Sequence, residues 1–241
     1  GLIQRIIKAM HLSGDSIKLP KVPRAGCLPL GERGERPEEA FSYAPAAGQL
    51  SCLQGHSRPD ATMAVPQAAS CAHCPKRSRE RALIQIGKYL KGTAGKGLLL
   101  KPSAAGFKMG ALAGAAFACG WGTEPPASPE PAKPRAGHIL EAASCPILWI
   151  PKLQPAAAAS AMEAECAALP MPLRAAIPLL DLAKQAASGL SAHSARALAL
   201  QATAHEDSQG ALKLASLEEG RSAPWPKLYA LRLRWLRPWV R

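Results

Sequence analysis

Apolar positions along the chain fall into runs of two kinds. Leu2, Ile3, Ile6, Ile7 and Met10 return at helical spacing, which predicts a short amphipathic helix over residues 1–10 that docks on a larger body. Residues 11–48 carry Pro20, Pro23, Pro29 and Pro37 and the charged run Gly31-Glu32-Arg33-Gly34-Glu35-Arg36, and read as loop. Over residues 77–91, Leu83, Ile86, Gly87 and Leu90 share one helical face among Arg, Glu and Lys, and Gly92 stops the helix. Leu98-Leu99-Leu100 reads as a short strand. Beyond it, residues 107–115 form a Gly- and Ala-rich strand, and residues 123–134 a Pro/Glu/Ala loop. Residues 138–142 and 145–153 are two apolar segments joined tightly, as in a hairpin. A long helix over 160–185, a strand over 198–205, a helix over 208–216 and a basic, aromatic helix over 227–240 complete the pattern.

Strands first, then helix, strand and helix, predict a mixed α/β domain over residues 103–241. Pro102-Ser103 marks the boundary, and residues 1–102 form a mostly helical or irregular segment before it. Composition thins the expected core. Hydrophobic residues make up 48% of the chain, but Ala dominates them and Phe and Tyr contribute three each. Ala buries little area, and 23 Pro with 20 Gly limit regular structure further. Asn is absent from the chain, a bias of the kind nucleotide composition or drift produces.

The net charge of +13 points to a polyanionic partner, nucleic acid being the usual one, with a solvated basic surface as the alternative. The uncharged run over residues 109–123 is too short and too rich in Gly and Ala to span a bilayer, so no membrane is expected. Seven cysteines, an odd count without a secretory signal, point to a reducing, intracellular setting, cytoplasmic or nuclear. The opening Gly1 reads as the start of a fragment. Cys71-Ala72-His73-Cys74 has the spacing of a zinc knuckle, but Cys52, Cys119 and Cys145 stand alone, and a tetrahedral site needs a second pair.

Several blocks of wording occur together in one order. They are Gly55-His56-Ser57-Arg58-Pro59-Asp60 with Ala64-Val65, then Pro75-Lys76-Arg77-Ser78, then Ile86-Gly87-Lys88-Tyr89-Leu90-Lys91-Gly92-Thr93. Gly114-Ala115-Ala116-Phe117-Ala118-Cys119 with Trp121-Gly122 follows, and then Cys145-Pro146-Ile147-Leu148-Trp149 through Lys152-Leu153-Gln154. Ser160-Ala161-Met162-Glu163-Ala164-Glu165-Cys166 and Glu206-Asp207-Ser208-Gln209-Gly210-Ala211-Leu212 come last. In this order and spacing the chain resembles, over nearly its whole length, the C-terminal part of a copia-type retrotransposon polyprotein. The matching family segments read "SRPD…AV", "RYLKGT", "DADFAG", "CPVLW.SKLQ", "STTEAEY" and "EDNxGAL". The resemblance implies the tail of a reverse transcriptase followed by a ribonuclease H-like domain.

In the parent protein that resemblance implies RNA-templated DNA synthesis and hydrolysis of RNA in an RNA–DNA hybrid. The family's polymerase aspartates lie upstream of this chain, so no polymerisation is expected from it. Ribonuclease H chemistry uses two divalent cations, Mg²⁺ in the family, held by a cluster of carboxylates. Here the resemblance puts Gly114 and Ala116 where the family carries aspartates, and Tyr229-Ala230-Leu231-Arg232 lacks an acid that many relatives have. Glu165 and Asp207 remain as vestigial catalytic and metal-ligating groups. Glu165 and Glu163 compete for one role, and helical spacing aligns Glu165 with the apolar stripe Ala168, Leu169, Leu173, Ala176 and Leu180. Glu163 aligns with Arg174, Asp181 and Gln185 and reads as a solvated charge. Asp207, where a strand ends and a helix begins, is a ligand by family context or a plain helix cap. Pro170 and Pro172 fall inside the expected long helix, at about 3 kcal/mol each.

The expectation is therefore a catalytically inactive remnant. A domesticated nucleic-acid-binding module is the alternative reading, as is a neutral translation product that does not fold stably. Arg232, Arg234, Arg237, Trp235 and Trp239 offer cation and stacking groups for weak, non-specific binding of RNA–DNA hybrid or another nucleic acid. The same residues also suit an amphipathic helix packed on its own domain.

Overall fold

The computed structural model describes residues 1–14, 16–23, 28, 35–70, 72–103, 107–117, 133–189 and 201–216. The described chain divides between Leu98 and Leu99 into two compact units.

The first unit is helical. It contains α1 (Leu2–Ala9), α2 (Tyr43–His56), a 3₁₀ turn (Pro59–Ala61), α3 (Ala64–Ala69) and α4 (Arg77–Gly92). Ile6, Leu50, Val65, Leu83, Ile86 and Leu90 are fully buried in its core. The amphipathic N-terminal segment docks as its pattern predicts, with Ile6, Ile7 and Met10 buried. Helix α2 is a correction, because its first turn lies in the stretch that reads as loop. Pro45 falls in that turn, where its missing N–H costs nothing, and the buried face is built from Tyr43, Ala46, Ala47, Leu50 and Leu53. The strand expected at residues 98–100 is also absent, since Leu99 and Leu100 lie exposed in irregular chain.

Two of the resembling blocks meet in this unit. Arg58, 3% exposed, donates from Nε and Nη2 to both carboxylate oxygens of Asp60 at 2.9 and 2.7 Å. It also donates to the Thr93 carbonyl at 3.1 Å and hydroxyl at 2.6 Å, and its guanidinium lies 5.5 Å from the centre of the Tyr89 ring. The Tyr89 hydroxyl donates to Asp60 at 2.6 Å. Burial acts to raise the Asp60 carboxyl, but the hydrogen bonds from Arg58 and Tyr89 outweigh it and hold the group below the usual range. Arg58 and Asp60 of one block and Tyr89 and Thr93 of the other thus form one clamp between the 3₁₀ turn and the end of α4.

The second unit is a four-stranded sheet in the order β3-β2-β1-β4, formed by β1 (Lys108–Ala116), β2 (Arg135–Ala142), β3 (Cys145–Leu153) and β4 (Gln201–His205). β1, β2 and β3 are antiparallel, and β4 runs parallel to β1, so the three segments expected to share a sheet do so. Helices α5 (Ala161–Ala168), α6 (Pro170–Ser188) and α7 (Gln209–Ala215) supply its apolar cover. Met109, Ala111, Leu140 and Ala176 form one buried cluster, and Cys166, Leu169, Leu173, Ala211 and Ala215 another. This mixed sheet with helices is compatible with a ribonuclease H-like fold. β3, outermost among the described strands, carries Pro146, Pro151 and a register shift opposite Leu140/Glu141.

The expected long helix runs over Ala161–Ser188 and is divided at Leu169 into α5 and α6, although Leu169 keeps helical backbone angles (φ −51°, ψ −39°). This division places Pro170 and Pro172 in the first turn of α6, where a proline interrupts no bond within its own helix. The cost charged to those prolines is largely avoided; of the helix-interior positions in α6 only Pro178 is proline. By length and apolarity Ala161–Ser188 has the makings of a membrane span, yet Cys166, Leu169, Leu173 and Ala176 lie buried in the apolar clusters of this unit. The last strand is described from Gln201 onward, and the expected helix over 227–240, with Arg232, Arg234, Trp235, Arg237 and Trp239, lies outside the described residues.

The β2–β3 turn holds Ala143 at φ 50° and Ser144 at φ 67°. Two consecutive left-handed residues are what a two-residue hairpin with the right twist needs, and Asn-Gly supplies them at least cost. Changing Ala143→Asn together with Ser144→Gly is expected to stabilise the second unit by about 1 kcal/mol. Thermal unfolding checks this, with a rise in melting temperature of roughly 2–4 °C.

Candidate metal centre

The site forms where β1 and β4 part. Their parallel pairing ends at Leu112 and His205, and Glu206 and Asp207 follow at once. Ser208 then caps α7, its hydroxyl accepting from the Ala211 N–H at 3.3 Å, so Asp207 is not the cap. Gly210 lets α7 close on α5, since a Cβ there would stand 2.8 Å from the Met162 sulfur.

Helix α5 brings the third acid. Its N-cap is Ser160, which accepts from the Glu163 N–H at 3.1 Å, while the Glu163 carboxylate reaches back to the Ala159 N–H at 2.6 Å. Glu163 is therefore engaged in a capping arrangement rather than simply solvated. Glu165 turns the other way, and the Ala115 N–H of β1 acts to hold its carboxyl down.

Oxygens of Glu165, Glu206 and Asp207 all lie within 4.8 Å of one another, with Glu165 and Glu206 half-buried and Asp207 exposed. Burial raises the Glu165 carboxyl; the nearby Asp207 charge adds to this, and the Ala115 N–H opposes it. Burial, with Glu165 and Asp207 beside it, pushes Glu206 up to about 7 against an opposing bond from the Ser208 N–H. One oxygen each of Glu165 and Glu206 is buried without a hydrogen-bond partner. An open cleft of about 430 Å³ adjoins the acids, lined by Leu112, Ala113, Ala204, His205, Glu206, Asp207 and Leu212.

Hard oxygen donors of this kind suit a divalent cation such as Mg²⁺ or Mn²⁺. Three carboxylates can hold one ion, whose charge would relieve their mutual repulsion. A pair of ions needs a bridging ligand, and β1 offers none, since Lys108–Ala116 contains no acid. The structure also refines the reading of Gly114 and Ala116. Ala113 packs against the Cys166–Leu169–Leu173 cluster, so strand alternation turns Gly114 and Ala116 to the opposite face, with Gly114 across from Gly137. On this backbone, positions 113 and 115 point toward α5.

Of the sequence-predicted ligands, Glu165 and Asp207 come together. Glu206 joins them unforeseen, although two adjacent acids at a strand end were a legible signal. Cys71 lies outside the described residues, and Cys74 is a free thiol. No protein-family model matches the chain, and no curated protein or solved structure matches it either.

Proposed function

We propose that this chain is a catalytically silent remnant of a copia-type reverse transcriptase and ribonuclease H, whose second unit retains the capacity to hold one divalent cation, Mg²⁺ in the family, at Glu165, Glu206 and Asp207. The observation that carries the reading is the convergence of these three acids from α5 and the end of β4. It is supported by the sheet order and by the motif blocks that bring each acid to its place. A single ion without a bridging carboxylate from β1 leaves no means of activating water and steadying the leaving oxygen together. RNA–DNA hybrid is the polyanion this ancestry implies as partner, bound weakly and without sequence preference through the basic surface.

The test is paired. Titration with Mn²⁺, followed by electron paramagnetic resonance, is expected to show one bound ion that is lost in the Glu165→Gln, Asp207→Asn double variant. Labelled hybrid incubated with Mg²⁺ or Mn²⁺ is expected to stay intact. Cleavage above background that disappears on Asp207→Ala would show an active enzyme and overturn the reading, and so would a chain that takes up no Mn²⁺.

A further inference from the structure

Gln154 lies next to none of the three acids in sequence, and it is 4% exposed. Its backbone N–H donates to the Pro134 carbonyl at 2.8 Å, closing the end of β3 onto the start of β2. Its side-chain Nε2 donates to the Ala164 carbonyl at 2.8 Å in a buried bond. A carbonyl can only accept, so the amide nitrogen, not the oxygen, must face α5. A carbonyl has two lone pairs, so this bond adds to the helical one rather than replacing it.

Ala164 immediately precedes Glu165. The Gln154 bond therefore ties the helical turn that bears Glu165 to the β2–β3 hairpin. On the far side of Glu165, the Ala115 N–H of β1 acts to lower its carboxyl. Ala115 lies beyond Leu112, the last β1 residue that pairs with β4, so β4 does not reach its N–H. Resting on the cation reading above, we infer that Gln154 is a positioning residue for the acid cluster. It fixes the rotation and height of α5 so that Glu165 meets Ala115, Glu206 and Asp207. It touches no ion itself and acts through the helix backbone, as groups behind a metal ligand commonly do.

The test uses the full chain and the variant Gln154→Met, which keeps the length and apolar body of the side chain and removes the donor. In amide hydrogen exchange, Ala115 is expected to exchange about tenfold faster relative to Leu112 and Ala113, as the Glu165 carboxylate shifts. Mn²⁺ is expected to bind about tenfold more weakly. Exchange that rises equally along β1 would mean Gln154 merely stabilises the unit and would overturn the inference, as would an unchanged Ala115. Should the variant not fold, the unsubstituted chain decides. A scalar coupling across the hydrogen bond from the Gln154 side-chain nitrogen to the Ala164 carbonyl carbon is expected, and its absence refutes the positioning bond. If the unsubstituted chain takes up no Mn²⁺ while Gln154→Met still releases Ala115 selectively, the cation reading fails and the positioning role stands.

Discussion

Asp60→Ala is expected to destabilise the first unit by about 3–4 kcal/mol. The reason lies in the unequal burial of the pair. Arg58 is 3% exposed on its side chain and Asp60 is 35% exposed. Removing Asp60 leaves a buried guanidinium whose remaining hydrogen bonds are the two to Thr93. Removing the cation instead, as Arg58→Met, leaves a carboxylate that water can reach, and is expected to cost about half as much. Tyr89→Phe removes one hydrogen bond to a charged group and should cost about 1.5 kcal/mol. Denaturant unfolding, followed by amide exchange along α4, measures all three. The order Asp60→Ala, Arg58→Met, Tyr89→Phe is the diagnostic. Equal costs for the first two would mean that water reaches both ends of the clamp.

The second large effect is on the pH dependence of the other unit. Glu206 keeps its proton in the folded chain up to about pH 7, whereas an unfolded chain releases it near 4.5. Between those values the folded form binds more protons, so stability falls as pH rises through this window. The loss is at most about 3–4 kcal/mol, and less where water enters the cleft. Above pH 7 it is complete, and below about pH 4.5 it is absent. Melting curves should therefore drop from pH 5 to pH 8, and Glu206→Gln should flatten the profile and raise the melting temperature at pH 8. Mn²⁺ binds the deprotonated acids, so it should raise the melting temperature at pH 8 and do little at pH 5. A flat profile in the unsubstituted chain would place Glu206 in open water.

Both effects arise at positions whose motif blocks were visible in the sequence, but the physical roles were legible only in part. Helical spacing alone aligned Glu165 with the apolar stripe, because that inference needs one helix and one face. The Ser160-x-x-Glu163 pattern is a capping signature readable without any fold, yet the competition between two glutamates drew the reading toward exposure instead. Glu206 and the Gln154 bond depend on where β4 ends and on what faces α5, which no local pattern contains. Helix α2 was hidden because Pro45 and Gly48 break its pattern and two of its five buried residues, Ala46 and Ala47, carry little apolar signal. Leu98-Leu99-Leu100 misled in the opposite sense. A short apolar run has strand character only if a neighbour pairs with it.

The prolines of β3 bear on a different property, the fate of the chain at high concentration. An outer strand with free N–H and C=O groups is a template on which another chain can grow. Pro146 and Pro151 withhold two donors within the nine residues of this strand, and the register shift opposite Leu140/Glu141 bends it between them. A second chain cannot zip along such an edge in register. Among the described strands, β3 is thereby a poor template for fibre growth at these two positions, however thin the alanine core behind it.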